Sequence, residues 1–267
     1  VEMEMLGIPD QANLRSVAKY AIADITIDFK DGTDIYWARS QVAERLANVS
    51  GDLPVTVEGG MAPISTPLSD MYMFTLEGPQ SLSEKRRVLD WIVRPALRTV
   101  PGVADVNALG GFVETFEVQP DMAALASAGL SVEDLRDAIE SSNRNDGAGR
   151  LKIGEEALII RAVGAIRTLE DVSSVVVRAQ NGSILRVGDV ATVRMGSLTR
   201  YGAVSKNGKG EAVQGLVIAL RGADASKVVA GVKARLEEIK PGLPKGMAVD
   251  VFYDRSDLIG RAVGTVE

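Results

Sequence analysis

The sequence predicts an α+β fold built from repeated strand–helix–strand units, and three observations carry that reading. Alternating and helical hydrophobic periods follow one another near the start of the chain, again from Met71 to about residue 120, and again from Glu211 to about residue 254. Such units pack as βαββαβ, ferredoxin-like α/β sandwiches. The first unit has no opening strand. A block of short strands and Gly-rich turns, roughly 128–210, interrupts the second. The expectation is therefore two ferredoxin-like sandwiches, one lacking its first strand, with an inserted, mainly-β subdomain.

Each element has its local cause. In "ADITIDF", Ile25, Ile27 and Phe29 alternate with Asp24, Thr26 and Asp28, as in a half-buried strand. "KDGT" turns the chain, and Thr33 is read as the cap of a helix whose stripe is Ile35, Ala38, Val42 and Leu46. "LPVTVEGG" gives a short strand. "MYMFTL" is a strand leading to Ser81, with Glu84 three residues on, a capping box. The helix runs through "EKRRVLDWIVRPALRTV", with Pro95 kinking or breaking it. "GVADVNALGGFVETFEVQPD" reads as strand, Gly-Gly turn, strand. Ser131 and Asp134 cap the next helix. "NRNDGAGRLKIGEE" reads as a short, Gly-rich, polar loop, and Asn181–Gly182 as a hairpin turn. Val228, Val232, Leu236 and Ile239 recur at helical spacing between the last two strands.

Composition bounds the function. The chain has 267 residues, 46% apolar and 25% charged, with net charge −6. No basic block is present, which argues against nucleic acid. There is no Cys and no His. Disulfides, Cys/His zinc sites, a His base and a Cys nucleophile are all excluded. Any metal must be held by Asp, Glu, Met, hydroxyls or carbonyls. No run reaches the ~18 apolar residues of a membrane span. The opening "VEMEMLGIPD" and the closing "DRSDLIGRAVGTVE" read as places where a longer chain has been cut.

Four stretches, in order, carry a resemblance: "RSVAKYAIADITIDFKDGTDIYWARSQVAERL", "DWIVRPALRTVPGVADVNALGGF", "LRVGDVATVRMG" and "LPKGMAVDVFYDRSDLI". The chain resembles the first periplasmic loop of the heavy-metal efflux branch of the resistance–nodulation–division transporters, CzcA/CusA-like. The resemblance implies a porter subdomain PN1 at 1–68. It implies a second, PN2, at 69–127 and 211–257, a docking subdomain DN at 128–210, and the start of a segment leading to a membrane helix at 258–267. It implies a fragment of a proton-driven cation antiporter, not an enzyme, at the periplasmic face of the Gram-negative inner membrane. Its partners would be the rest of the transporter chain, two further protomers in a homotrimer, a membrane-fusion adaptor and an outer-membrane channel. No permanent cofactor is implied. The cargo would be divalent (Zn, Co, Cd or Ni), with Cu or Ag as the softer alternative. Related drug pumps extend an arm at "NRNDGAGRLKIGEE"; here the stretch implies a reduced arm. The rival class is a soluble regulatory or small-molecule-binding module of tandem ferredoxin-like domains, with carboxylate-based catalysis a third.

Within "LSDMYMFTLEG", alternation puts Tyr72, Phe74 and Leu76 on one face and Met71, Met73, Thr75 and Glu77 on the other. Met71 and Met73 then lie ~7 Å apart and Met71 and Glu77 ~20 Å apart at ~3.3 Å per residue, so one ion cannot take the whole row. Glu77 is the candidate cation ligand, since a hard carboxylate suits divalent ions. Met71 and Met73 are secondary, because thioethers favour Cu⁺ or Ag⁺. Against this stand a solvated strand-end Glu and a Met pair filling an irregular wall. Asp105, Glu114 and Glu117 are read as residues able to line the same region. Glu155 and Glu156, adjacent on a strand, face opposite ways and cannot chelate together.

Overall fold

The structure is a computed structural model. It describes residues 1–19, 22–54, 57, 59–66, 68–143, 146–153, 156–162, 165–180 and 182–265, with backbone alone in 146–153 and 156–162. The chain divides into two compact units, Val1–Pro63 and Ile64–Glu267.

The first unit holds a short helix α1 (Glu2–Met5), strands β1 (Gln11–Lys19) and β2 (Ile22–Phe29), and helix α2 (Ile35–Ser50). β1 and β2 pair antiparallel from Gln11↔Phe29 to Lys19↔Ile22. Asp34, not Thr33, caps α2: its carboxylate accepts from the Trp37 N–H at 2.7 Å, while the Thr33 hydroxyl donates to the Lys30 carbonyl. A carboxylate at this position also meets the positive end of the helix dipole. Met5, Ile8 and Ala38 are buried; Ile35, Val42 and Leu46 are half-buried. Three residues of the expected "LPVTVEGG" strand, Val55, Thr56 and Glu58, lie outside the described residues.

The second unit opens with β3 (Asp70–Glu77), α3 (Leu82–Val88), a π-helical turn at Leu89–Val93, α4 (Arg94–Arg98) and β4 (Val103–Gly110). The Ser81–Glu84 capping box forms as expected. The α-helix ends at Val88 and resumes at Arg94, so the expected break falls just ahead of Pro95, but it is not a gap in the winding. Instead the Arg94 N–H donates to the Leu89 carbonyl, five residues back, and the widened turn carries the chain past a residue with no N–H. Trp91 stands on the outside of that turn, 79% exposed.

The inserted block follows: β5 (Glu114–Pro120), α5 (Met122–Ala128), α6 (Val132–Ser142), β6 (Asp146–Ile153), β7 (Glu156–Ala162), α7 (Leu169–Ser174), β8 (Val176–Gln180), β9 (Ser183–Arg186), α8 (Val187–Val190) and β10 (Ala191–Ser197). Leu125, Leu135, Val172, Val175, Val187 and Val190 form its own apolar core. β5 and β10 pair from Glu114↔Ser197 to Pro120↔Ala191. The stretch expected to be a short loop is instead a β6–β7 hairpin, paired from Asp146↔Ala162 to Ile153↔Glu156. Backbone pairing needs no side chain, and a register shift between Gly147 and Gly149 absorbs the glycines. Asn181 and Glu155 lie outside the described residues, as does the side chain of Glu156.

The chain returns through β11 (Val204–Ser205), β12 (Glu211–Ala219), α9 (Ala225–Ile239), β13 (Ala248–Asp254) and α10 (Arg255–Val263). β12 pairs antiparallel with both β3 and β4, and β13 pairs with β3, so the main strands lie in the order β13–β3–β12–β4. That is the ferredoxin-like order, and the block from β5 to β10 interrupts it in sequence only. The core lies between this sheet and its helices: Phe74, Leu76, Val106, Val213 and Val217 meet Leu89, Val93, Leu97, Val228 and Val232. The Val228–Val232–Leu236 stripe of α9 is buried as its spacing predicts. Gly110 ends β4 with φ +72°, and a Cβ there would stand 2.3 Å from the Ala212 carbonyl oxygen, so only glycine fits.

Candidate functional site

β12 shows how the sheet presents two faces. Val213, Gly215, Val217 and Ala219 are buried on the helix side, and Gln214, Leu216 and Ile218 alternate with them, half-buried on the other. Directly opposite residues share a face. Met73 pairs with Leu216 and Thr75 with Gln214, so both belong to the face away from the helices, with Asn107 and Leu109 of β4 beyond. Phe74, opposite Gly215, belongs to the core and is 0% exposed.

Met71 departs from the simple alternation. Tyr72 pairs with Val217 and Asp70 with Ile218, which leaves Met71 as the extra residue of a bulge. A bulge re-aims a side chain. Met71 is 7% exposed and packs with Tyr72 and Phe74 in the main core. The sequence expectation that Met71 and Met73 share a face fails for that reason.

Glu77 closes β3 at the other end of the open face, where the sheet is polar. The Thr75 hydroxyl donates to Glu77 Oε1 at 2.7 Å. The Lys206 ammonium, from the turn after β11, donates to Thr75 Oγ1 at 2.7 Å, to Glu77 Oε1 at 2.8 Å, and to Asp250 Oδ2 on β13. Lys206 and then Thr75 hold the Glu77 carboxyl below the usual carboxylate range, against a smaller upward push from burial. Asp250 first and then Glu77 raise the Lys206 ammonium above its ordinary value, against a smaller downward push from burial. Glu77 is thus a carboxylate already facing one fixed positive charge.

The other candidate carboxylates do not join it. Asp105 is held by Arg94 at 3.1 Å and Arg98 at 3.5 Å, with a bond from the Val106 amide. Burial pushes its carboxyl up, yet these donors together keep it below its ordinary value. Glu117 sits on β5, in a different sheet from β3, in a two-bond pair with Arg194. Glu114, also on β5, stands 4.0 Å from Arg87. Among the described residues no group of three or more Asp or Glu is placed to hold a metal ion.

Sequence reasoning missed Lys206 and Asp250. Asp250 had a signal, because "AVDVFYD" alternates and a strand pairing with β3 would set Asp250 opposite Thr75. Lys206 had none: a lysine in a "SKNGKG" turn says nothing about which strand its ammonium reaches.

The pattern of the AcrB/AcrD/AcrF family matches residues 1–267, the whole chain. The chain belongs to the AcrB/AcrD/AcrF family. It is 35% identical over 277 aligned residues to the cobalt-zinc-cadmium resistance protein CzcA of Cupriavidus metallidurans, covering 100% of this chain and 26% of that protein. It is 36% identical to the cation efflux system protein CusA of Escherichia coli K12, over 97% of this chain and 25% of that one. Among solved structures, a heavy metal efflux pump in crystal form II superposes with a TM-score of 0.88 at 32% identity, over 99% of this chain and 26% of that one. The chain therefore spans about a quarter of the length of these relatives. The resemblance read from the four stretches is borne out, and with it the mixed fold of a porter and docking region. The family is one of efflux transporters and not of enzymes. Among the described residues no helix is long and apolar enough to cross a membrane.

Proposed function

We propose that this chain is the porter and docking portion of a proton-driven pump that exports heavy-metal cations from the periplasmic face of the inner membrane. PN1 occupies 1–68, PN2 occupies 69–127 and 211–257, DN occupies 128–210, and 258–267 leads toward a membrane helix. One observation carries the reading: the whole chain superposes on a solved heavy metal efflux pump, TM-score 0.88, at 32% identity. The separate apolar cores of the interrupted sheet and of the inserted block support an insertion within PN2, although Leu125, Val118 and Ala124 in or packed against the second core favour a start of the insertion near β5 rather than at residue 128. The names of relatives supply the cargo class, Co, Zn and Cd for one and Ni, Co and Cd for another. The working assembly in this reading is a homotrimer with a membrane-fusion adaptor and an outer-membrane channel.

Within that reading the open face of the sheet lines the cation path. Glu77 is an auxiliary attractor for a divalent ion, and Met73 is the thioether available to a softer one. Met71, enclosed in the core, is the weakest of the three. The remaining ligands come from outside residues 1–267. The test is an exchange: this chain replaces the corresponding segment of the C. metallidurans CzcA, and cobalt, zinc and cadmium resistance is measured. Retained resistance to at least one ion supports the assignment. A chimera that is expressed and assembled yet resists none of them refutes it.

A further inference from the structure

We propose that residues 198–210 form a strap over one end of the open sheet face, and that Lys206 is its latch. This inference does not depend on the identity of the cargo.

The strap is the return connection from β10 to β12, and it buries almost nothing. Only Arg200, Val204 and Lys206 within it are less than exposed, and Tyr201 is 98% exposed. A segment with so little apolar burial opens locally at small cost unless polar contacts hold it. Its root is fastened near Phe112 and Glu211. The Arg200 guanidinium lies 3.8 Å from the centroid of the Phe112 ring and makes two bonds to Glu211, at 2.6 and 3.2 Å. Its middle adds the two-residue pairing of Val204 with Ala212 and Ser205 with Glu211. Its tip turns through Asn207 and Gly208, both at positive φ, closed by the Lys206 N–H to the Gly210 carbonyl and the Lys209 N–H to the Lys206 carbonyl.

From that tip the Lys206 side chain reaches to β3 and β13. There its ammonium meets acceptors from both strands: Thr75 and Glu77 on one, Asp250 on the other. Thr75 is 2% exposed, although it lies on the face that carries no helix. The two carboxylates repel each other unless a positive charge stands between them. Closing the strap supplies that charge, and opening it removes the charge and bares the buried Thr75 to water. The contact is therefore reciprocal: the sheet holds the strap down, and the strap keeps Glu77 and Asp250 compatible as neighbours. Because the pair is part-exposed, salt weakens it.

Hydrogen–deuterium exchange of the 267-residue chain tests this. In K206M, which keeps the apolar stem and removes the ammonium, amides of 203–211 should exchange about tenfold faster or more, while 214–218 of β12 keep their protection. The double variant E77Q/D250N keeps the shape of the sheet and should release the strap equally with Lys206 in place. About 1 M salt, where screening acts within ~3 Å, should speed strap exchange more in the unaltered chain than in K206M, where the Arg200–Glu211 pair alone remains to be screened. Strap protection that is the same in both variants as in the unaltered chain overturns the latch, because Arg200 and the β11 pairing then suffice. Exchange that rises equally across β12 also overturns it, because Lys206 would then support the whole sheet.

Discussion

The Phe74 ring occupies the space that any side chain at position 215 would need: a Cβ there would stand 2.3 Å from its Cζ. The two residues are direct partners across β3 and β12, and the ring is 0% exposed. Gly215→Ala should destabilise the second unit by about 1–3 kcal/mol, the usual range for an overpacked core. Equilibrium denaturation checks the loss, and adding Phe74→Leu should recover part of it. Unchanged stability in Gly215→Ala would mean the ring has room to move.

Asp254 joins three elements through one carboxylate. Its Oδ1 accepts from the Ser256 amide at 2.8 Å and caps α10, while its Oδ2 takes the Lys233 ammonium of α9. Burial pushes the Asp254 carboxyl up, but Lys233 and Ser256 outweigh it and hold the group below its ordinary value. A lowered folded value contributes stability that is full above ~pH 4 and is lost as pH falls through it. Asp254→Asn keeps a cap and loses the charge. It should cost about 1–3 kcal/mol at neutral pH. The gap from the unaltered chain should close in acid, as read from denaturation midpoints at a series of pH values.

The Ser81–Glu84 capping box satisfies the first turn of α3, with the Glu84 N–H donating to Ser81 Oγ at 3.2 Å and the Ser81 N–H to Glu84 at 2.9 Å. Ser81→Ala should cost about 1 kcal/mol. Ser81→Asp should restore most of it, which thermal denaturation of the three proteins would show.

Much of this fold was legible in the sequence, and the exceptions share a cause. The α9 stripe and the β3 core face follow from periodicity, which depends only on near neighbours. The Ser81 and Ser131 boxes follow from a spacing of three residues. Met71 was misplaced because a bulge is decided by how two strands distant in sequence pair. The π-helical turn before Pro95 was missed because a kink and a widened turn answer the same missing N–H. For the site, Glu77 was legible as a strand-end carboxylate, but its partners were not. Lys206 lies far from it in the chain, and a long side chain leaves no period behind.

The three residues singled out in β3 should separate by cargo. In the complete transporter, Met71→Leu is a volume-conserving change in a closed core and should leave resistance to every ion intact, with a stability cost under about 1.5 kcal/mol. Met73→Leu should lower resistance to Cu⁺ or Ag⁺ if those are carried, and should spare Zn²⁺ or Cd²⁺. Glu77→Gln should lower divalent resistance several-fold without lowering expression, as growth across a concentration series would show. Full resistance in Glu77→Gln to each cation would leave Glu77 as an anchor for Lys206 alone.

The central claim is that this chain works in heavy-metal cation export. Its most direct test expresses the complete polypeptide carrying these 267 residues in a metal-sensitive Gram-negative host and measures cytoplasmic and periplasmic metal after loading with Zn²⁺, Co²⁺, Cd²⁺, Ni²⁺, Cu⁺ and Ag⁺ in turn. The account predicts faster, proton-gradient-dependent loss of at least one cation, accompanied by raised resistance to that same ion. Efflux indistinguishable from the empty host for all of them, with the protein present and assembled in the membrane, would contradict it.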